Sequence, residues 1–134
     1  MGGSEKEGKK AYKPYVPAMR PGSSPIEKPM YRVLVHHQYK EIWDGLVSRV
    51  GLGNAQQFSD HVAMTPGMPP KVGSSVIMKG KHKEAKWPGY SKTIHYSISG
   101  AGRIDYQFNP LPKEGALKDL HGVVKILTVE LSSH

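Results

Sequence analysis

Tyr39-Lys40-Glu41-Ile42-Trp43-Asp44-Gly45-Leu46-Val47-Ser48-Arg49-Val50 is the stretch whose spacing decides the fold class. Its apolar residues Tyr39, Ile42, Trp43, Leu46, Val47 and Val50 recur at i, i+3, i+4, i+7, i+8 and i+11, which predicts an amphipathic helix. Lys40, Glu41, Asp44, Ser48 and Arg49 occupy the opposite, wet face, and Gly51 and Gly53 supply the backbone freedom that ends a helix. Upstream, residues 31–37 (YRVLVHH) are rich in β-branched side chains and alternate with period two, as a strand does. Downstream, Asn54 suits the cap of a short second helix through Phe58 and Val62, stopped by the prolines of 66–70 (PGMPP).

The rest of the chain is strand-like. Residues 72–78 (VGSSVIM) form a candidate strand weakened by Gly73. In residues 91–99, Ile94, Tyr96 and Ile98 share one face, and in residues 103–108 Ile104, Tyr106 and Phe108 do the same. Gly100-Ala101-Gly102 joins these two as a hairpin loop. Residues 122–131 (GVVKILTVEL) are almost continuously apolar and read as a central strand. The expected class is therefore α+β: a small antiparallel sheet with one main amphipathic helix packed on one face.

The character of the chain changes near residue 30. Residues 1–30 hold Pro14, Pro17, Pro21, Pro25 and Pro29 among glycines and lysines, a spacing that blocks helix and cannot feed a central sheet ladder. The composition suits a disordered tail or, in the reading followed here, an extended Pro-rich arm laid over neighbouring subunits. Tyr12, Tyr15 and Ile26 would be its anchors between prolines. Residues 31–134 form the compact domain, which deletion of residues 1–30 is expected to leave largely intact.

Composition excludes several classes. At 134 residues the chain is one domain, or one domain with a tail. Without cysteine there is no disulfide, no Cys-ligated zinc or iron–sulfur site and no thiol nucleophile. No stretch reaches the ~18 apolar residues of a membrane-spanning helix. The N-terminus lacks a signal-peptide core, and Lys6 stands where the myristoylation motif that begins at Gly2 wants Ser or Thr. A cytoplasmic, cytoskeletal or ciliary location is expected, with a mitochondrial one as an alternative.

No catalytic constellation, cofactor or metal site is expected. His36 and His37, adjacent on a strand, would point to opposite faces, and the other histidines show no ligand spacing. There is no G-x-S-x-G elbow, Asp105 alternates outward from the hairpin, and Gly51-Leu52-Gly53 follows a helix where a dinucleotide fingerprint must follow a strand.

The concentrated feature is residues 79–92, where Lys79, Lys81, Lys83, Lys86 and Lys92 interleave with Trp87 and Tyr90. Nineteen basic against eleven acidic residues give the chain +8, so a polyanion is the complementary partner. Only Arg20, Arg32, Arg49 and Arg103 are arginines, the preferred readers of bases and phosphates, so sequence-blind contact with RNA or an acidic protein surface fits better. Trp87 and Tyr90 would stack on, or wedge into, that partner.

Residues 31–131 also resemble the helix-grip fold of the START and polyketide-cyclase-like superfamily. The resemblance is carried by Ile42-Trp43-Asp44 on the first helix, Val72-Gly73 entering a strand, and the antiparallel run that follows. It implies a curved sheet gripping an apolar small molecule in a cavity that the family closes with a long C-terminal helix; after residue 131 a partner would have to take that helix's place. The expected function remains that of a non-enzymatic structural or accessory subunit of a large assembly. A microtubule-based cytoskeletal or ciliary structure, a respiratory or ATP synthase complex, or a ribosome would be its host.

Overall fold

The computed structural model describes residues 13–22, 29–68, 74–77, 84–99, 102–110 and 122–131. In chain order the elements are β1 (Tyr15–Pro17), β2 (Tyr31–His36), a 3-10 turn (His37–Tyr39), α1 (Lys40–Asp44), α2 (Leu46–Val50), α3 (Leu52–Met64), β3 (Ser74–Ile77), β4 (Ile94–Ile98), β5 (Gly102–Asn109) and β6 (Gly122–Glu130). The class is α+β, with one six-stranded sheet in the order β1-β2-β6-β5-β4-β3. The apolar run of β6 is explained by its place between β2 and β5, where both faces are covered.

The sheet is mixed rather than purely antiparallel. β3, β4, β5 and β6 alternate in direction, but β6 enters beside β2 in parallel, Tyr31 opposite Gly122 and Val35 opposite Ile126. Side-chain alternation fixes which face a residue takes and carries no information about a neighbour's direction.

One face packs on the helices. Val35, Ile94, Ile104, Val124 and Ile126 meet Trp43, Leu46, Phe58 and Val62, all buried. Phe58 is the centre, edge-on to Trp43, Tyr96 and Tyr106 at ring distances of 6.0, 4.8 and 6.1 Å. The phenol of Tyr106 reaches through this layer to donate to the Pro66 carbonyl at 2.6 Å, which satisfies its one buried polar group.

The helical layer differs from the expected single helix over residues 39–50. Gly45 interrupts it, its N–H shared between the Glu41 and Ile42 carbonyls at 3.2 Å each, and α1 and α2 are five residues long apiece. Trp43 and Leu46 keep their core positions, but the break leaves Val47 37% exposed. The main helix is α3, of 13 residues. It starts at Leu52 rather than at an Asn54 cap because Gly51, at φ 91°, closes α2 and at once accepts the first α3 bond from Ala55 N. Asn54 lies inside the helix and donates to the Val50 carbonyl at 2.8 Å.

Part of the segment read as an arm is built into this unit. β1 pairs with β2, Tyr15 opposite His36 and Pro17 opposite Leu34. Beyond it, Ala18 N donates to Val33 O (2.9 Å), Trp43 Nε1 to Met19 O (2.9 Å) and Gln56 Nε2 to Pro21 O (2.9 Å). Arg20 grips Asp60 on α3 with a two-pronged contact at 2.7 and 2.9 Å. Tyr12, Ile26, Lys79, Lys81 and Lys83, and with them the Val72-Gly73 element, lie outside the described residues.

Candidate functional site

The sheet's other face is where the chain concentrates its unusual polar groups. Alternation along the strands sends Leu34 and His36 of β2, His95 of β4, Asp105 and Gln107 of β5, and Lys125 of β6 to this side. At a β-bulge, Asp105 pairs with Thr128 while Tyr106 pairs with Ile126, so Leu127 is an extra residue. Leu127 and Thr128 consequently both face this side.

Residues 84–91 cover one part of this face. Gln107, fully buried, holds them: its Oε1 accepts from Lys86 N at 3.0 Å, and its Nε2 donates to Glu84 O at 2.9 Å and to Thr93 Oγ1 at 2.8 Å. Ser91 N donates to Phe108 O (2.8 Å), and Phe108 N to Ser91 Oγ (3.1 Å). Under this cover lies Lys125, only 2% exposed, its ammonium 3.9 Å from the Trp87 ring centroid, 4.9 Å from Tyr90 and 5.5 Å from Tyr15. The faces of the aromatic rings are negative, so three of them around one ammonium replace part of the hydration that burial removes.

Beside this cage opens a cavity of about 500 Å³. Its floor is Thr93, Asp105, Leu127 and Thr128; Tyr15, His36 and Tyr39 wall one side, and Glu84 and Lys86 stand across from them. Asp105 is its buried acid. The side chain is 19% exposed, and Oδ1 is sealed from solvent with no aligned hydrogen-bond donor among the described residues, although His95 Nδ1 lies 2.9 Å away. Burial raises the Asp105 carboxyl above its ordinary value, against the lowering influence of His95 and Arg103. His36 accepts from Gln38 N on Nδ1 at 3.1 Å, which leaves its proton on Nε2, and burial together with neighbouring His37 lowers its pKa. The Tyr15 phenol is pushed up to about 12 by burial and by Tyr39.

Two expectations are corrected here. His36 and His37 do not point to opposite faces: β2 ends at His36, the 3-10 turn begins at His37, and the two rings stack at 5.1 Å. Asp105 does not alternate outward into water, because residues 84–91 fold over the face it occupies. Of the residues singled out as contacts, Tyr15, Trp87 and Tyr90 are brought together around Lys125, and Lys86 stands exposed at the cavity rim. Sequence reasoning missed Lys125, Gln107 and Asp105. Lys125 had a signal, as the one charged residue within the apolar run 122–129.

Among the described residues no three His, Asp or Glu side chains gather as a metal group, and no helix is long and apolar enough to cross a membrane. No family model, curated protein or solved structure matches the chain.

Proposed function

We propose that the chain is a non-enzymatic accessory subunit of a larger protein assembly, joined through its lysine-rich loop with help from its N-terminal segment. The observation that best supports this is how the described end of the loop is held. Gln107, Trp87 and Tyr90 fix its backbone on the sheet, while Lys86 and Lys92 stay exposed. The part of the loop from residue 84 onward is already held in place and loses little conformational freedom on meeting an acidic surface. In this reading Trp87 and Tyr90 hold the loop on its own domain instead of entering the partner. Lysine rather than arginine favours an acidic protein surface, such as that of a microtubule, over the specific reading of RNA. A respiratory or ATP synthase complex or a ribosome is a further host of the kind this chemistry suits.

The helix-grip alternative draws less support. The space between sheet and helices, where that fold would hold an apolar ligand, is filled by Trp43, Leu46 and Phe58.

The test is affinity capture from native extract at rising salt, comparing the parent chain with Lys79, Lys81, Lys83 and Lys86 changed together to Ser. The variant should keep its stability within about 0.5 kcal/mol per site, as surface substitutions ordinarily do. It should lose co-purifying chains, and what binding remains should depend less on salt. Retention of the same partners at physiological salt would overturn the proposal.

A further inference from the structure

We propose that the cavity beside the Lys125 cage binds a small organic ammonium ion, with Asp105 as its counter-charge. The inference stands whether or not the chain joins an assembly.

The cavity is lined by two carboxylates, Asp105 and Glu84, and one ammonium, Lys86, while His95 Nδ1 lies 2.9 Å from Asp105 Oδ1 and the Lys125 ammonium 5.5 Å from the Tyr15 ring of the wall. Asp105, at the floor, is the better shielded of the two carboxylates. Asp105 is half-buried at the floor, its Oδ1 sealed from solvent 2.9 Å from His95 Nδ1, and a carboxylate so placed is costly unless a cation or donor meets it. A ligand ammonium entering over the floor would face the Asp105 carboxylate, with the Thr93 and Thr128 side chains as neighbouring oxygens.

Tyr15, His36 and Tyr39 form a continuous aromatic side, Tyr15 edge-on to His36 at 5.1 Å and His36 to Tyr39 at 6.4 Å. The His36 ring is a neutral member of that wall, its Nδ1 already accepting from Gln38 N. Aromatic walls with a carboxylate floor are the arrangement that recognises organic ammonium ions, because ring faces attract the diffuse charge and the carboxylate fixes the N–H groups.

Tyr15, which walls the cavity, also contributes to the cage around the Lys125 ammonium. One ring of the wall thus already faces an alkylammonium from inside the protein, at 5.5 Å. About 500 Å³ is room for a small molecule with a short apolar or aromatic tail, which Leu127 and the tyrosines would contact.

The test uses the purified full chain and isothermal titration calorimetry at neutral pH and low salt, with three probes of equal shape: phenethylamine, 2-phenylethanol and phenylacetate. Phenethylammonium should bind at least about tenfold more tightly than the neutral alcohol, the size of one well-placed charged contact. Asp105→Asn should abolish that preference while leaving binding of the alcohol unchanged. Tyr39→Ala should weaken phenethylammonium about two- to fivefold, as loss of one ring face does. Glu84→Gln, at the exposed rim, is the companion variant in case Asp105→Asn does not fold, and should reduce the amine's advantage over the alcohol. Equal binding of amine and alcohol, no heat from any probe at millimolar concentration, or tightest binding of phenylacetate would overturn the proposal. The last result would make the cavity an anion site built on Lys86.

Discussion

Trp43 and Asp105 show the two ways in which single residues matter in this chain. Trp43 is 2% exposed, fills the angle between α1 and the sheet, and spends its only polar atom on the Met19 carbonyl. Trp43→Ala should therefore cost ~3–5 kcal/mol, against the ~5–15 kcal/mol of a typical domain. Trp43→Phe keeps most of the packing and should cost about 1 kcal/mol for the lost hydrogen bond. Urea denaturation of both variants checks the pair, and a change below about 1 kcal/mol for the alanine would place Trp43 outside the core. Asp105 works in the opposite sense. Because burial raises its pKa, the folded chain holds this proton more tightly than the unfolded chain. The stability it contributes is full below the unfolded pKa and is lost as pH rises through the folded one. Asp105→Asn removes that loss, so the variant should be more resistant to urea than the parent at neutral pH, and the gap should close on acidification. A variant weaker than the parent at neutral pH would mean that the His95 contact outweighs burial.

At the scale of elements, the segment over residues 84–91 depends on Gln107 more than on its own sequence. Gln107→Leu keeps the volume but strands Lys86 N, Glu84 O and Thr93 Oγ1 without their partner. It should cost about 1–3 kcal/mol, and amide exchange at Lys86 should accelerate selectively; unchanged exchange there would show that Trp87 and Tyr90 hold the segment unaided. Little of this was legible beforehand. The strands were, because Ile94-x-Tyr96-x-Ile98 and Ile104-x-Tyr106 repeat with period two and pack on one layer. The interruption at Gly45 was not, since apolar spacing runs through it unchanged. The second face escaped for a related reason: in a strand such as β5, polar residues between apolar ones ordinarily face water, and the cover over them, residues 84–91, belongs to a basic stretch that itself reads as solvated. β1 was hidden among prolines, although Pro17 is tolerated on an edge strand that needs no N–H on its outer side.

For the whole molecule, the decisive question is where the folded unit begins. Residues 13–22 cross both layers: β1 extends the sheet at β2, Met19 caps Trp43, Arg20 ties to Asp60 on α3, and Pro21 accepts from Gln56 one turn earlier on the same helix. Tyr15 on this segment also closes the Lys125 cage and walls the cavity. Deleting residues 1–22 would therefore expose the β2 edge, leave the Trp43 indole N–H and the Asp60 carboxylate without these partners, and open Lys125 to water. The expected loss is at least about 3 kcal/mol, the scale of removing one buried aromatic with its contacts. Deleting residues 1–12 removes none of these interactions and is the matched control. The two truncations should separate cleanly in urea midpoint, with only the longer one also losing any response of the cavity to phenethylammonium. A 1–22 deletion as stable as the parent would show that β1 is a passenger on the sheet and that the folded unit starts at Tyr31.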